Sequence, residues 1–345
     1  MVKAKKRIPW WGIVAIVLGG LGVLFGLLVA GLNIYFRGSV SDYYKASKKS
    51  FEIPDSDDGF VAQGIAYDDR LGCFFVTGYM NDKSASPINL VCKENAKFYK
   101  SVSMKNEDGT DFSGHAGGIA VYGDYVYVAG GSDRCLYVFS YDDIRNAIDG
   151  ASIRAKGKFR LKSENDYINA AFTTVYDGKI LIGEFYREQN YKTNESHHIA
   201  VSGGTNRALA VAFEFDETAE FGISPEPVEA FSLPDQAQGM CFDGGNVYVS
   251  TSYGMAFSHI YNYAIPSATS ETVSILGQEV KTYFLDEKAL VSDRKIAPMS
   301  EEIEIVDGKL YVMCESASNK YIFGKFTGGK WCYATDLDFF EKSEK

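Results

Sequence analysis

The chain has 345 residues, of which 14% are aromatic and eight are proline. This composition excludes an intrinsically disordered protein, because disordered chains lack the aromatic and β-branched residues that form a core. Five of the 35 basic residues lie in the first 37 positions, which leaves 30 basic residues against all 45 acidic ones in the remainder. That acidic remainder is poorly suited to nucleic acid, whose binding relies on clustered Lys and Arg, so we expect no nucleic-acid partner.

The first predicted element is a transmembrane helix over residues 9–36. Residues 10–32 contain no charge, and a helix of about twenty apolar residues spans the hydrocarbon core of a bilayer. Aromatic side chains, which favour the membrane interface, lie at its two ends: Trp10, Trp11 and Tyr35. A basic cluster precedes it: Lys3, Lys5, Lys6 and Arg7. The positive-inside rule therefore predicts a cytoplasmic tail at residues 1–8 and an extracytoplasmic remainder.

A cleaved signal peptide is the alternative to this anchor, although it would have a shorter apolar region and a clearer cleavage site. With the helix retained, the protein is expected in the cell membrane as a single-pass protein that contacts the bilayer through residues 9–36. A polar stalk is predicted at residues 37–49, followed by one extracytoplasmic domain over residues 50–345.

Five segments of this domain share one layout. Each has a small-residue start, a short apolar strand, a tight turn and a second strand rich in Val, Tyr and Ile. The central residues of the second strands are Phe75, Tyr127, Leu181, Tyr248 and Tyr311. A third apolar segment follows each pair, such as PINLVC in the first unit and YIFGKF in the last, and a fourth often follows, such as VKTYFL from Val280. Four antiparallel strands per unit, repeated radially, are typical of a β-propeller.

The predicted fold is therefore all-β, a propeller of five blades preceded by one transmembrane helix. Six blades are the alternative if residues 190–207 or 266–297 form another unit. Residues 50–53 are predicted as an outer strand that completes the last blade, and KWCYATDL near the C-terminus competes for the same edge. Of the six cysteines, Cys73 and Cys92 could face each other across one hairpin.

Several strings in this domain carry a resemblance: GHAGGIAV, GEFY, PDQAQGMCF, STSYG and PMSEEIEIVDGKLYVMCESASNKY. On these strings the chain resembles exported or membrane-anchored bacterial β-propeller proteins without an established activity. It is more distantly similar to propeller lactonases, whose metal-binding acidic residues line the central channel. The resemblance implies the fold and export, and it assigns no functional residue.

In a propeller, the starts of the innermost strands and the ends of the second strands open onto one face, so their side chains are predicted to converge on a funnel. The predicted ligand-binding residues are Gln63, His115, Tyr186, Gln238, Tyr253 and Glu315. His115, one of four histidines, and Glu302 are the candidates for proton transfer. Candidate oxygen donors for Ca²⁺ are Glu184, Glu302, Glu315 and Asn169.

Two functions remain open on this basis. The first is a non-catalytic binding or scaffolding module that holds a small molecule, a glycan or a peptide in the funnel. The second is a calcium-assisted hydrolase or lyase acting there on a lactone, an ester or a phosphate, with His115 or Glu302 moving protons.

Overall fold

The computed structural model describes residues 9–341, so the predicted cytoplasmic tail at residues 1–8 and the last four residues of the predicted propeller lie outside the described part. Helix α1 (Trp10–Gly38) covers the whole apolar run. It is long and apolar enough to cross a membrane. The predicted N-terminal helix is therefore confirmed as an element that could span a bilayer.

The segment between α1 and the first blade is folded against the propeller. Helix α2 (Ser41–Ala46) is followed directly by strand β1 (Ser47–Glu52). Val40 and Tyr43 are buried in a cluster with Tyr248 and Leu310, because their apolar side chains lose contact with water there. The predicted stalk at residues 37–49 thus contains a docked helix, and the propeller begins at Ser47 rather than at residue 50.

The remaining strands form five blades, as predicted. Blade 1 contains β2 (Phe60–Asp68), β3 (Cys73–Met80), β4 (Pro87–Cys92) and β5 (Lys97–Lys105). Blade 2 contains β6 (Ile119–Tyr122), β7 (Tyr125–Ala129) and β8 (Cys135–Ser140), then helix α3 (Tyr141–Asn146), strand β9 (Ala151–Arg154) and its outer strand β10 (Gly157–Arg160). The strands of each blade pair antiparallel in chain order, and β9 instead adds to β5 of blade 1 in parallel.

Blade 3 contains β11 (Phe172–Tyr176) and β12 (Lys179–Gly183), then the small hairpin β13 (Ile199–Val201) and β14 (Gly204–Asn206), and then β15 (Ala208–Phe215) and β16 (Ile223–Leu233). Blade 4 contains β17 (Ala237–Asp243), β18 (Asn246–Thr251) and β19 (Ser258–Ala264). The hairpin β20 (Ser270–Ile275) and β21 (Gln278–Phe284) follows, and β22 (Leu290–Ile296) completes blade 4. Blade 5 contains β23 (Ser300–Val306), β24 (Lys309–Cys314) and β25 (Trp331–Asp336).

The ring closes with β1, which pairs antiparallel with β25 as the outermost strand of blade 5. Both segments predicted for this edge therefore belong to blade 5. KWCYATDL provides the third strand, β25, and the segment before the first blade provides the fourth, β1. The prediction that YIFGKF forms the third strand of blade 5 was wrong, since Ile322–Phe326 form a 3₁₀-helix. A Cβ on Gly324 would lie 1.8 Å from the Ser316 carbonyl oxygen, so this segment turns back onto the loop before it.

No sixth blade forms among residues 9–341. The hairpin β13–β14 stands as a separate two-stranded sheet, and β21 adds in parallel to β16 at the edge of blade 3. The VKTYFL segment, which was predicted as a fourth strand, is thus an added strand of blade 3. Strand β22 takes the outer position in blade 4 instead. The Asp-Gly pairs in the sequence predict tight hairpin turns, and the structure has such a turn at Asp307 and Gly308. Both residues have positive φ, 52° and 69°, as type I′ turns require.

The hydrophobic core lies between neighbouring blades. Phe75 of blade 1 packs with Val126 of blade 2, and the same kind of cluster fills each of the other four junctions around the ring. Burial of each such side chain stabilises the fold by about 1.5–3 kcal/mol. Because every blade contributes to two clusters, the ring forms a rigid frame for the loops at its centre.

Candidate functional site

The five innermost strands approach each other closely at one level of the central channel. A Cβ on Gly64 would lie 2.9 Å from the Gly118 Cα, and one on Gly118 would lie 2.6 Å from the Phe172 Cα. A Cβ on Gly239 would likewise lie 2.6 Å from the Glu302 Cα. Glycine is therefore required at this level in blades 1, 2 and 4, because backbone meets backbone here, and the funnel ends at this level.

Glu302 closes the channel at that level. Its Oε2 accepts hydrogen bonds from the amides of Ile65 (2.8 Å) and Ile119 (3.1 Å), and its Oε1 accepts one from Thr173 (2.9 Å). These amides lie on the inner edges of three blades, where no further strand can pair with them. Burial raises the pKa of Glu302 although the three amides oppose the shift. Both carboxyl oxygens of Glu302, a candidate for proton transfer, thus already accept hydrogen bonds from the backbone of the innermost strands.

Two amide–carboxyl pairs lie among the side chains at the funnel floor. Gln63 Nε2 donates to Glu315 Oε2 at 3.2 Å, and the Tyr321 hydroxyl donates to the same oxygen at 3.0 Å. Gln238 Nε2 lies 3.4 Å from Glu301 Oε1 as the second pair. Burial raises the pKa of Glu301 and of Glu315, and for Glu301 the neighbouring carboxylates add to it. The floor therefore carries hydrogen-bonding groups with a weakened tendency to ionise.

One part of the rim is built from His115, Tyr79 and Lys320. The rings of His115 and Tyr79 are in contact, with centroids 4.7 Å apart and planes tilted by 32°, and Lys320 Nζ donates to the Tyr79 hydroxyl. The His115 side chain is open to water, yet it sits in a concave surface with protein on most sides. Desolvation and the Lys320 cation lower the pKa of His115 to about 4. At neutral pH it is thus an uncharged donor and acceptor.

The opposite part of the rim is aromatic. The Arg187 guanidinium lies 3.9 Å from the centroid of the Tyr253 ring, which is 39% exposed. Phe185 lies between Tyr253 and Tyr191, with ring centroids 6.4 and 5.3 Å away. The loop after β12 of blade 3 and the loop after β18 of blade 4 thus bring these side chains together, and a funnel shared by all five blades stays a prediction. Tyr186, by contrast, is only 1% exposed and packs its ring on His198.

The other predicted metal donors lie in a separate buried network. Glu184 Oε2 lies 2.8 Å from His197 Nδ1, and His197 Nε2 lies 3.0 Å from Asp166 Oδ1. Burial would lower the pKa of His197, but the two carboxylates outweigh it and raise the pKa to about 9. Asp166 also accepts a hydrogen bond from the Leu276 backbone N–H at 2.7 Å, and the Asn169 backbone N–H donates to Glu184 at 3.3 Å. The network holds the loop after β12 against hairpin β20–β21.

The predicted donors do not fit a calcium site. Ca²⁺ takes six to eight oxygens around one point. Glu302 bonds the ring amides, Glu315 bonds Gln63 and Tyr321, and Glu184 with Asn169 belongs to the His197 network. Within residues 9–341, no group of three or more His, Cys, Asp or Glu side chains could hold a metal ion.

Sequence reasoning missed the roles of Tyr321 and His197. Tyr321 lies in a segment with a strand-like apolar pattern, and His197 lies in a polar loop without a motif. The one available signal was the position of both loops, each of which follows the second strand of a blade.

The solved structures named below are only distantly similar to the chain. No protein-family model matches it, and no curated protein matches it. Among solved structures, it is similar to the glutaminyl cyclase of Myxococcus xanthus, with 12% identity, 84% of this chain and 94% of that chain covered, and a TM-score of 0.42.

Two further solved structures are similar to the chain at a comparable level. The PQQ-bound aldose sugar dehydrogenase of Streptomyces coelicolor is 12% identical, with 83% of this chain and 95% of that chain covered and a TM-score of 0.45. A putative 6-phosphogluconolactonase of Bacteroides uniformis is 13% identical, with 73% and 77% covered and a TM-score of 0.37. Similarity at this level assigns no ligand or reaction to this chain.

Proposed function

We propose that the protein is a membrane-anchored β-propeller that captures a small polar molecule in its funnel without transforming it. The observation that carries the proposal is the pairing of amide and carboxyl groups on the floor, Gln63 with Glu315 and Gln238 with Glu301. Aromatic rings stand at the rim above them. A few fixed polar groups inside an aromatic wall on a rigid scaffold are typical of small-molecule sites.

The chemistry of the floor favours an uncharged ligand rich in hydroxyl groups, such as a glycan. A carboxyl group with a raised pKa can donate as well as accept a hydrogen bond, and so can the neutral His115 imidazole. A cationic peptide would instead need ionised carboxylates, which burial disfavours here. The amide groups of Gln63 and Gln238 add donors and acceptors that match hydroxyl groups.

Hydrolysis is less well supported by the same geometry. Nucleophilic catalysis needs a nucleophile within hydrogen-bond reach of a base, which a third group then orients. The His115 ring packs against the Tyr79 ring, and no carboxylate in residues 9–341 hydrogen-bonds to it. A serine hydroxyl could act as the nucleophile, but the Ser252 hydroxyl accepts a hydrogen bond from the Ser258 hydroxyl at 3.1 Å, and its partner is therefore not a base. The calcium-assisted hydrolase or lyase therefore lacks a supporting arrangement.

The surface of α1 supports the proposed anchoring in the membrane. Its large apolar side chains are exposed, with Phe25 at 68% and Leu18 at 63%, and a continuous apolar surface of this size is stable in lipid rather than in water. The basic N-terminus would remain in the cytoplasm and the propeller would lie outside. Protease added to intact cells should degrade the propeller; its survival until the cells are lysed would refute this orientation.

Ligand capture is tested with the full chain in detergent. A panel of oligosaccharides and short peptides is screened for an increase in melting temperature, because a ligand that binds only the native state stabilises it. The dissociation constant of a hit is then measured for Tyr253→Ala and Gln238→Leu, with Tyr99→Ala as the control. Tyr99 is 51% exposed on the outer strand of blade 1.

Each funnel variant should weaken binding about tenfold, the equivalent of one hydrogen bond or aromatic contact of about 1.4 kcal/mol. The Tyr99→Ala control should bind as the unchanged protein does. Equal affinity in all variants would move the site away from the funnel, and conversion of the hit to a product would contradict the non-catalytic function.

A further inference from the structure

A basic cavity lies where helix α1 meets the propeller. It has a volume of about 390 Å³, which corresponds to about thirteen water molecules at ~30 Å³ each. Four basic residues line it, namely Arg37, Lys49, Lys325 and Lys330. This is a local excess of positive charge in a domain that is otherwise acidic.

The charges that oppose these cations leave a net positive cavity. Lys325 pairs with Asp57 at 2.8 Å, and Lys330 pairs with Glu52 at 2.8 Å. Lys49 and Arg37 have no carboxylate within salt-bridge distance in residues 9–341. Lys49 Nζ instead lies 5.0 Å from the centroid of the Trp331 ring. Two cations thus remain available to an anion, beside an aromatic ring.

The cavity wall is fixed by contacts between the end of α1 and the glycine-rich turn at residues 327–329. Arg37 Nε donates to the Phe326 carbonyl at 3.3 Å, and the Tyr44 hydroxyl donates to the Thr327 carbonyl. Gly328 has a φ of 74°, and a Cβ there would lie 3.0 Å from the Tyr333 hydroxyl. The shape of the cavity therefore depends on hydrogen bonds from side chains to the backbone at this turn, and none of them involves Lys49.

The position along α1 puts the cavity at the level of lipid headgroups. The apolar run ends at Leu32, and Arg37 follows five residues later, which is about 7.5 Å further along a helix at 1.5 Å per residue. Each headgroup layer extends about 5–7 Å beyond the hydrocarbon core. Tyr35 and Trp331 lie at the same end of the helix, as aromatic residues at a membrane interface do.

We propose that this cavity binds the phosphodiester headgroup of an anionic phospholipid from the membrane leaflet next to the propeller. The inference rests on the membrane anchoring proposed above, and it is independent of the ligand in the funnel. Arg37 and Lys49 contact the phosphate oxygens, Trp331 lies against the glycerol portion, and the acyl chains lie along the exposed side of α1.

The headgroup site and the funnel share one loop. Residues 315–330 present Glu315, Lys320 and Tyr321 to the funnel and Lys325 and Lys330 to the cavity. The end of α1 docks on this loop, and Tyr35 also contacts Phe257 in the loop between β18 and β19. A bound headgroup would thus hold the funnel-bearing face toward the membrane surface.

The test measures binding of phosphatidylglycerol to the full chain in detergent by native mass spectrometry, with phosphatidylcholine and inorganic phosphate as parallel probes. The variant is Lys49→Glu and the matched control is Lys48→Glu. The two lysines are neighbours on β1, and their side chains point to opposite faces of the strand. Both are exposed, so neither variant should disturb the fold, and melting temperatures check this.

Phosphatidylglycerol should bind in preference to phosphatidylcholine. Lys49→Glu should weaken it about 30-fold, since each unit of charge near an anionic lipid contributes about fivefold, whereas Lys48→Glu should show no comparable loss. Equal binding to both variants, or no preference for the anionic lipid, overturns the site. Binding of inorganic phosphate that also depends on Lys49 overturns the lipid assignment in favour of a soluble phosphate.

Failure of this site is distinguishable from failure of the anchor. Flotation of the full chain with neutral phosphatidylcholine vesicles depends on α1 alone. A chain that floats but shows no preference for phosphatidylglycerol keeps the anchor and loses the headgroup site.

Discussion

Substitution of Glu302 by alanine should destabilise the propeller more than any other single change at the funnel. It leaves three inner-edge amides without their acceptor, those of Ile65, Ile119 and Thr173. Each buried amide without a partner costs about 1–3 kcal/mol. Water that enters the vacated channel can satisfy part of this loss, so we expect a decrease in the free energy of unfolding of about 3–5 kcal/mol.

Glu304 provides the matched control for this prediction. It lies two residues further along β23 and is half-buried, and it accepts one backbone amide, that of Tyr67. Burial raises its pKa to about 8. Glu304→Ala orphans one amide instead of three, and water can replace the lost acceptor because Glu304 and Tyr67 are both half-buried. It should therefore cost about 1 kcal/mol, the low end of the range for one amide.

The assay is thermal unfolding of the full chain in detergent at a pH of about 7. For a domain of this size, 1 kcal/mol shifts the melting temperature by about 2–4 °C. Glu302→Ala should therefore melt about 10 °C below the unchanged protein, and Glu304→Ala only a few degrees below it. Equal melting temperatures for the two variants would refute the assignment of Glu302 as the acceptor that ties the blades together.

Three further predictions concern groups outside the funnel floor. The pKa of His197 is raised to about 9 in the folded protein, compared with about 6.5 in the unfolded chain. The resulting stabilisation of the fold is fully present below pH 6.5 and is lost as the pH rises through 9. The difference is roughly 3 kcal/mol, so urea unfolding of His197→Gln should depend less on pH over that range than that of the unchanged protein; parallel curves would contradict the network. Cys73 and Cys92 are register partners with sulfurs 3.6 Å apart, so mild oxidation should join them into a disulfide, and peptide mapping that finds both alkylated afterwards would contradict their position. His115, with its pKa lowered to about 4, stays neutral above pH 5, so His115→Ala should leave the shape of the pH dependence of ligand affinity between pH 5.5 and 8 unchanged; a step near pH 6.5 that this variant removes would indicate an ordinary histidine.

The blades were predictable because their signals are local. Asp-Gly turns such as Asp307–Gly308 fix the hairpins, and the small residues at Gly64, Gly118 and Gly239 mark the points where backbones meet. The third strand of the last blade was not predictable in this way. Residues 321–326 and 331–336 have similar apolar patterns, and the close packing of Gly324 on Ser316, which the first segment makes, has no signal in the sequence.

The funnel was predictable as a place but not as a set of contacts. The repeat places Gln63, Gln238 and Glu301 at equivalent positions, so their convergence follows from the fold. The partners of Gln63, which are Glu315 and indirectly Tyr321, depend on the course of the loop after β24. The same holds for His197, whose two carboxylate partners come from positions 13 and 31 residues earlier in the chain.

The most direct test of the proposed function is a structure of the full chain in a lipid nanodisc, saturated with the best hit from the ligand screen. The proposal predicts density for the unmodified ligand in the funnel, in contact with Gln63, Gln238 and the Tyr253 ring. Density at another face of the propeller, or a cleaved product in the funnel, would contradict it.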